Sequence, residues 1–147
     1  MRVVLAAVAG LALAGATVPL DTAPQDPAAA IALADAAPTA GKIGLFRMTV
    51  AAVGHRGKIT FLNSHADYRA RGNVTFSLSH AAARHLAERL GGIERAGLVG
   101  RTVVVAGRIE RRPVVNVGAS GQTLGFNRWS YSVRVSKPDQ LVTVSAG

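Results

Sequence analysis

From Ile43 onward the sequence breaks into short runs with the two-residue period of β-strands, interrupted once by helical spacing, and that order restricts the fold more than any other feature. "IGLFRMTVAAVG", residues 43–54, reads as a long first strand, and "HRG", residues 55–57, as its turn. "KITFLN" returns as a second strand, so the two form a hairpin. The polar run of residues 64–73 is a loop. Val74, Phe76 and Leu78 then alternate with Thr75 and Ser77, which makes a third strand with one apolar face. Ser79 stands where a helix N-cap is needed, Ala82, Leu86 and Leu90 follow at four-residue spacing, and Gly91-Gly92 stops the helix. A loop through Leu98 and Gly100 leads to a fourth strand over residues 101–108. For the fifth, residues 114–117 and 130–135 both qualify, and one of them is then the far arm of an added hairpin.

The resulting class is all-β with one short helix. Strand-strand-strand-helix-strand-strand is the order of the OB-fold, a five-stranded Greek-key barrel whose open face and loops bind oligonucleotides or oligosaccharides. Here it carries an extended loop or hairpin after the fourth strand. Other small barrels share the pattern.

The front of the chain reads differently. Residues 1–16, with Arg2, an apolar run from Val3 and the small residues Ala14-Gly15-Ala16, fit a secretory signal peptide. The run is shorter than the roughly 18–20 apolar residues a membrane span requires. Residues 17–40 are rich in Ala and Pro and read as a disordered tether, in which Pro19, Pro24, Pro27 and Pro38 discourage a continuous helix. The folded domain is expected over residues 41–147, in a periplasmic or secreted location. Cysteine is absent, which excludes a disulfide framework, a lipobox anchor and thiol chemistry.

The net charge of +9 understates how basic that domain is. Residues 17–40 hold Asp21, Asp26 and Asp35 and no base. Every Lys and Arg except Arg2 lies beyond them, against only Asp67, Glu88, Glu94, Glu110 and Asp139. Such an imbalance indicates polyanion contact and steering. Arg far outnumbers Lys, which suits planar, bidentate phosphate recognition, although a GC-rich genome produces the same bias.

The stretches "GKITFLNSHADYRARGNVTFSLSHAAARHL", "LVGRTVVVAGRIERRP" and "SKPDQLVTV" resemble small exported bacterial OB-fold domains of the nucleic-acid-binding type, some of which occur in thermonuclease-like proteins. The resemblance spans residues 43–144. It is carried by Thr60-Phe61-Leu62-Asn63, Gly100-Arg101, Gly107-Arg108-Ile109-Glu110 and Pro138-Asp139-Gln140-Leu141. It implies a barrel that binds nucleic acid and includes no catalytic signature. Where such domains turn through a short Gly-Pro link, this chain has the longer "RRPVVNVGASGQTLGFNRWSY".

Enzymatic readings find little support in the residues. A metal-dependent nuclease needs clustered carboxylates, whereas the domain's acids are scattered over separate elements. His80 and His85 are five apart on one predicted helix, where a metal pair prefers four, and His55 and His65 lie in loops. Ser120 in "GASGQ" lacks the strand-to-helix elbow of a hydrolase nucleophile. No catalytic residue, metal or cofactor is expected.

The basic and aromatic set remains. In an OB barrel the first and fourth turns flank one face, so Arg56 and Lys58 are expected opposite Arg108, Arg111 and Arg112, the latter gathered around a turn. Tyr68, Phe126, Trp129 or Tyr131 offers a ring on which a base can stack, Tyr68 foremost because Arg69 and Arg71 share its polar loop. The expected partner is single-stranded nucleic acid or another polyanion. The alternatives are a structural domain that recruits an envelope protein through its extra loop, and a minimal thermonuclease-like nuclease.

Overall fold

A computed structural model describes residues 10–13, 16–19 and 22–145. Gly10–Leu13 (β1) and Ala16–Pro19 (β2) pair antiparallel in a small separate sheet. Most of the expected signal peptide lies outside the described residues.

The segment expected as a tether contains a helix, α1, at Pro27–Ala36. Its prolines bracket the helix instead of interrupting it. Asp26 caps the N-terminus by accepting a hydrogen bond from the Ala29 amide at 2.8 Å, and Pro27 occupies the first turn, where no backbone donor is needed. Pro38 follows the end. Ala30 and Ala34, one turn apart, are fully buried, because their methyl groups let the helix backbone approach the sheet closely. Just ahead of it, Gln25 exchanges backbone hydrogen bonds with Leu45 and Arg47. Residues from Gln25 onward therefore belong to the packed structure, well before residue 41.

The main sheet comprises Lys42–Thr49 (β3), Ala52–Arg56 (β4), Ile59–Asn63 (β5), Val74–Leu78 (β6), Thr102–Val117 (β7), Thr123–Val135 (β8) and Leu141–Ser145 (β9). It has seven strands rather than five, and the described residues form two α-helices rather than one, the second (α2) at His80–Arg89. The order is β3-β7-β8-β6-β5-β4, with β9 also on β7, and the sheet curls like part of a barrel. Its pairings are antiparallel except that of β6 with β8.

The expected first strand is divided into β3 and β4 at a corner. There the Val50 amide bonds the carbonyl of Arg101, beside β7, while the next amide, Ala51, bonds Asn63 of β5. One chain segment thus supplies both ends of the strand order. Alternation buries Phe46, Met48, Leu62, Phe76, Leu78, Val103, Val105, Ile109 and Val133 inside the curl, and α2 seals it with Ala82 and Leu86. Ser79 caps α2 as its position predicts, accepting from the Ala82 amide at 3.2 Å.

Both contenders for the fifth strand are strands, and they belong to one hairpin. Residues 102–109 of β7 lie against β3, but from Arg111 to Val117 β7 pairs only with β8 among the described residues. Likewise β8 meets β6 only from Tyr131 onward. Residues 111–130 consequently form a two-stranded arm that extends from the body.

Candidate functional site

The arm and the β5–β6 loop stand beside one another, and each is fixed by identifiable side chains. Asn73, almost completely buried, organises the loop. Its Nδ2 donates to the Tyr68 carbonyl at 3.2 Å, to Thr75 Oγ1 at 3.2 Å and to Asn63 Oδ1 at 3.4 Å, while its Oδ1 accepts from the His65 amide at 3.0 Å. Gly72 supplies the left-handed turn, φ +87°, that returns the chain to β6. Held this way, the loop projects Tyr68, 54% exposed, together with Arg69 and Arg71.

Across from the loop, β8 contributes Phe126, Arg128 and Trp129. A cleft of about 380 Å³ lies between them, lined by Arg69, Arg71, Phe126, Arg128 and Trp129, with Ile31 of α1 and Tyr131 completing its wall. Phe126 and Trp129 pack with ring centres 5.2 Å apart and planes tilted by 57°. Tyr68 sits between two guanidinium groups, those of Arg69 at 5.1 Å and Arg128 at 5.8 Å from the ring centre. A second hollow of about 510 Å³ shares Tyr131 and adds Tyr68, Phe61, His55 and Arg56. Among the described residues, no carboxylate lines either space.

Arg111 has a different task from the one its sequence position indicates. Its guanidinium carbon lies 4.1 Å from the centre of the Trp129 ring, and its Nη1 bonds Asp35 of α1 at 3.1 Å. The Tyr131 hydroxyl donates to the same Asp35 oxygen at 2.9 Å. Burial and the bond to this carboxylate, together with its negative charge, raise the Tyr131 pKa above its ordinary 10.0, and the nearby Arg111 opposes that rise. Asp35 therefore locks α1, the arm and the cleft wall to one another.

Of the basic residues expected to face each other, none of Arg108, Arg111 and Arg112 lines a hollow with Arg56 or Lys58. Arg56 and Tyr68 share the larger hollow, and Arg69, Arg71 and Trp129 share the cleft. Lys58 instead lines a separate hollow against α2 with His80, Arg84 and Arg95. Arg108 donates to the Ala40 carbonyl at 2.7 Å, and Arg112 pairs with Glu110 at 3.1 Å. The expected turn at residues 108–112 is continuous strand, and alternation sends Arg111 and Arg112 to opposite faces. They cannot act as one cluster.

Sequence reasoning missed Arg128, Asp35 and Ile31. Arg128 had a usable signal, as it precedes the only tryptophan in a strand that lacks acids. Asp35 had none, because its partners lie 76 and 96 residues away. Among the described residues, no three His, Asp or Glu side chains are grouped to hold a metal ion.

What the arrangement can do chemically is bind an anion that carries planar rings. Exposed aromatic rings stand among guanidinium groups, some of which lie over the rings themselves, and none of the described lining side chains is negative. No protein-family model matches this chain, and no curated protein matches it.

Proposed function

We propose that this chain is an exported, non-catalytic binding module of the OB type that holds single-stranded nucleic acid or a chemically similar polyanion. The observation that carries the proposal is the run of lining residues, none of them acidic, from Arg56 through Tyr68, Arg69 and Arg128 to Trp129 and Arg71. Guanidinium groups track phosphates, and exposed rings stack bases with little regard to sequence. A double helix keeps its base faces covered, so rings presented in a cleft favour a single strand. The OB assignment is supported by the strand order, in which β3 and β4, the two halves of one segment, occupy the two ends, and by the parallel pairing of β6 with β8.

The test uses the single tryptophan as its own reporter. Titration of the protein with oligothymidylate should quench Trp129 fluorescence, and affinity should fall steeply with salt. Replacing Arg69 and Arg128 together should reduce the logarithmic salt slope by about 0.7 for each phosphate that the variant no longer neutralises. Binding that is insensitive to salt and to both substitutions rejects the proposal. Cleavage of the oligonucleotide in the presence of divalent cations would replace it with the nuclease alternative.

A further inference from the structure

The end of the β7–β8 arm displays large apolar side chains to solvent. Val117 and Leu124 are each 62% exposed, Phe126 56%, and Val115 and Trp129 40%. Isolated surface hydrophobics are ordinary, but five on one projecting hairpin form a patch that calls for a partner.

Their order along the arm is graded. Val117 and Leu124 flank the tip, whose residues 118–122, Gly-Ala-Ser-Gly-Gln, carry no charge. Val115 faces Phe126 further back, and Pro113 faces Trp129 beyond that. Arg128, opposite Val114, stands between Phe126 and Trp129, and Arg112, opposite Ser130, stands behind Trp129 next to the body. At about 3.3 Å per residue, these two arginines lie roughly 13–17 Å behind Leu124 and Val117. No Asp or Glu occurs between Arg111 and Pro138, and Arg112 is held by an exposed pair with Glu110.

We infer that the arm is an anchor for an anionic lipid surface. An aliphatic tip followed by interleaved aromatic and cationic side chains, Phe126, Arg128, Trp129 and Arg112, matches the environments met on entering a bilayer: the acyl boundary, then the interface where rings and phosphates lie together. Immersion by about 5–10 Å covers Val117, Leu124 and part of Phe126 while the arm's unpaired backbone edges remain within reach of water. A second copy of the chain fits less well. A stable interface covers about 800 Å² of each partner, and a narrow hairpin tip whose apolar groups are sorted by depth offers no broad face. The anchor shares Phe126, Arg128 and Trp129 with the proposed nucleic-acid cleft, but Val117 and Leu124 line only the tip, so substitutions there test the anchor separately from that reading.

The full chain should float with vesicles made of equal phosphatidylcholine and phosphatidylglycerol and remain unbound with phosphatidylcholine alone. Brominated acyl chains should quench the added emission of a Leu124→Trp variant and leave Trp129, five residues further back, unquenched. Val117→Ser with Leu124→Ser, both at exposed positions, should lower vesicle binding by about tenfold or more and leave oligothymidylate binding intact. Undiminished vesicle binding by that double variant would show simple charge attraction and overturn the anchor. So would failure of the parent chain to bind anionic vesicles, or a stable dimer that buries Trp129.

Discussion

Arg111 lies against the ring of Trp129 at 4.1 Å and is simultaneously held by Asp35 at 3.1 Å. Its Nε is buried without a hydrogen-bond partner among the described residues, so the ring and the carboxylate fix the guanidinium. The cation is spent on orienting the tryptophan. Arg111→Ala should therefore destabilise the protein by about 1–2 kcal/mol, combining a partly buried cation–π contact with a half-exposed ion pair. Urea denaturation measures that destabilisation. Affinity for oligothymidylate should fall as Trp129 loses its fixed orientation, with little change in the salt slope; a slope reduced as much as by Arg128→Ala would make Arg111 a phosphate-binding group instead.

Asn73 offers a separate handle on the cleft. Asn73→Ala removes the bonds that join the loop's Tyr68 carbonyl and His65 amide to β5 and β6. A buried, partly unsatisfied network costs about 1–3 kcal/mol. Hydrogen exchange should accelerate in residues 64–73 before it does in β7, and oligonucleotide affinity should drop even though no charged or aromatic group has been altered.

The body of the sheet depends on Gln140, which is 6% exposed. Its Nε2 donates to the carbonyls of Ala106 and Arg134, both at 3.0 Å, and its Oε1 accepts from the amides of Ser136 and Lys137. It thereby joins β7, β8 and the turn into β9. Gln140→Ala should cost about 1–3 kcal/mol of stability, read from the urea midpoint, while vesicle binding by the folded protein stays unchanged. Gln140→Glu should cost more, since a carboxylate can accept from the amides but cannot donate to the two carbonyls and sets a buried negative charge against them.

Tyr131 supplies a pH prediction. Its pKa is raised in the folded state, so the fold favours the protonated phenol. The associated stability is fully present below the ordinary value of 10.0 and is lost as pH rises above it toward the folded-state pKa. In a Tyr68→Phe background Tyr131 is the sole tyrosine, and its ultraviolet phenolate absorbance should develop above pH 10. Asp35→Ala should bring that titration downward, because it removes the hydrogen bond and the negative charge and leaves Arg111 beside the ring. No downward movement would contradict the Asp35 connection.

Local elements were readable wherever their causes are local. The third strand followed from the alternation of Val74, Phe76 and Leu78, and the helix at residues 80–89 from Ser79 and the spacing of Ala82 and Leu86. The helix at residues 27–36 was obscured because its buried face consists of Ala30 and Ala34 within a nearly uniform alanine run, so no apolar stripe stands out. Its Asp26-Pro27 start was nonetheless present in the sequence. The length of β7 was hidden too: Pro113 and the flanking arginines look like a turn, although proline is tolerated on a strand that has lost one neighbour.

Residue order by itself determined the alternation of the third strand and the capped helix, the basic character of everything beyond residue 40, and a long acid-free stretch after Gly107-Arg108-Ile109-Glu110. Period, capping and charge act over a few residues, so a linear reading detects them. Only the tertiary structure decided which cations meet. Register on β7 divides Arg111 from Arg112, the Asp35 carboxylate draws Arg111 beneath Trp129, and the β5–β6 loop brings Tyr68 to Arg128. Those relationships join residues far apart in the chain, and their geometry is fixed by packing rather than by any local preference.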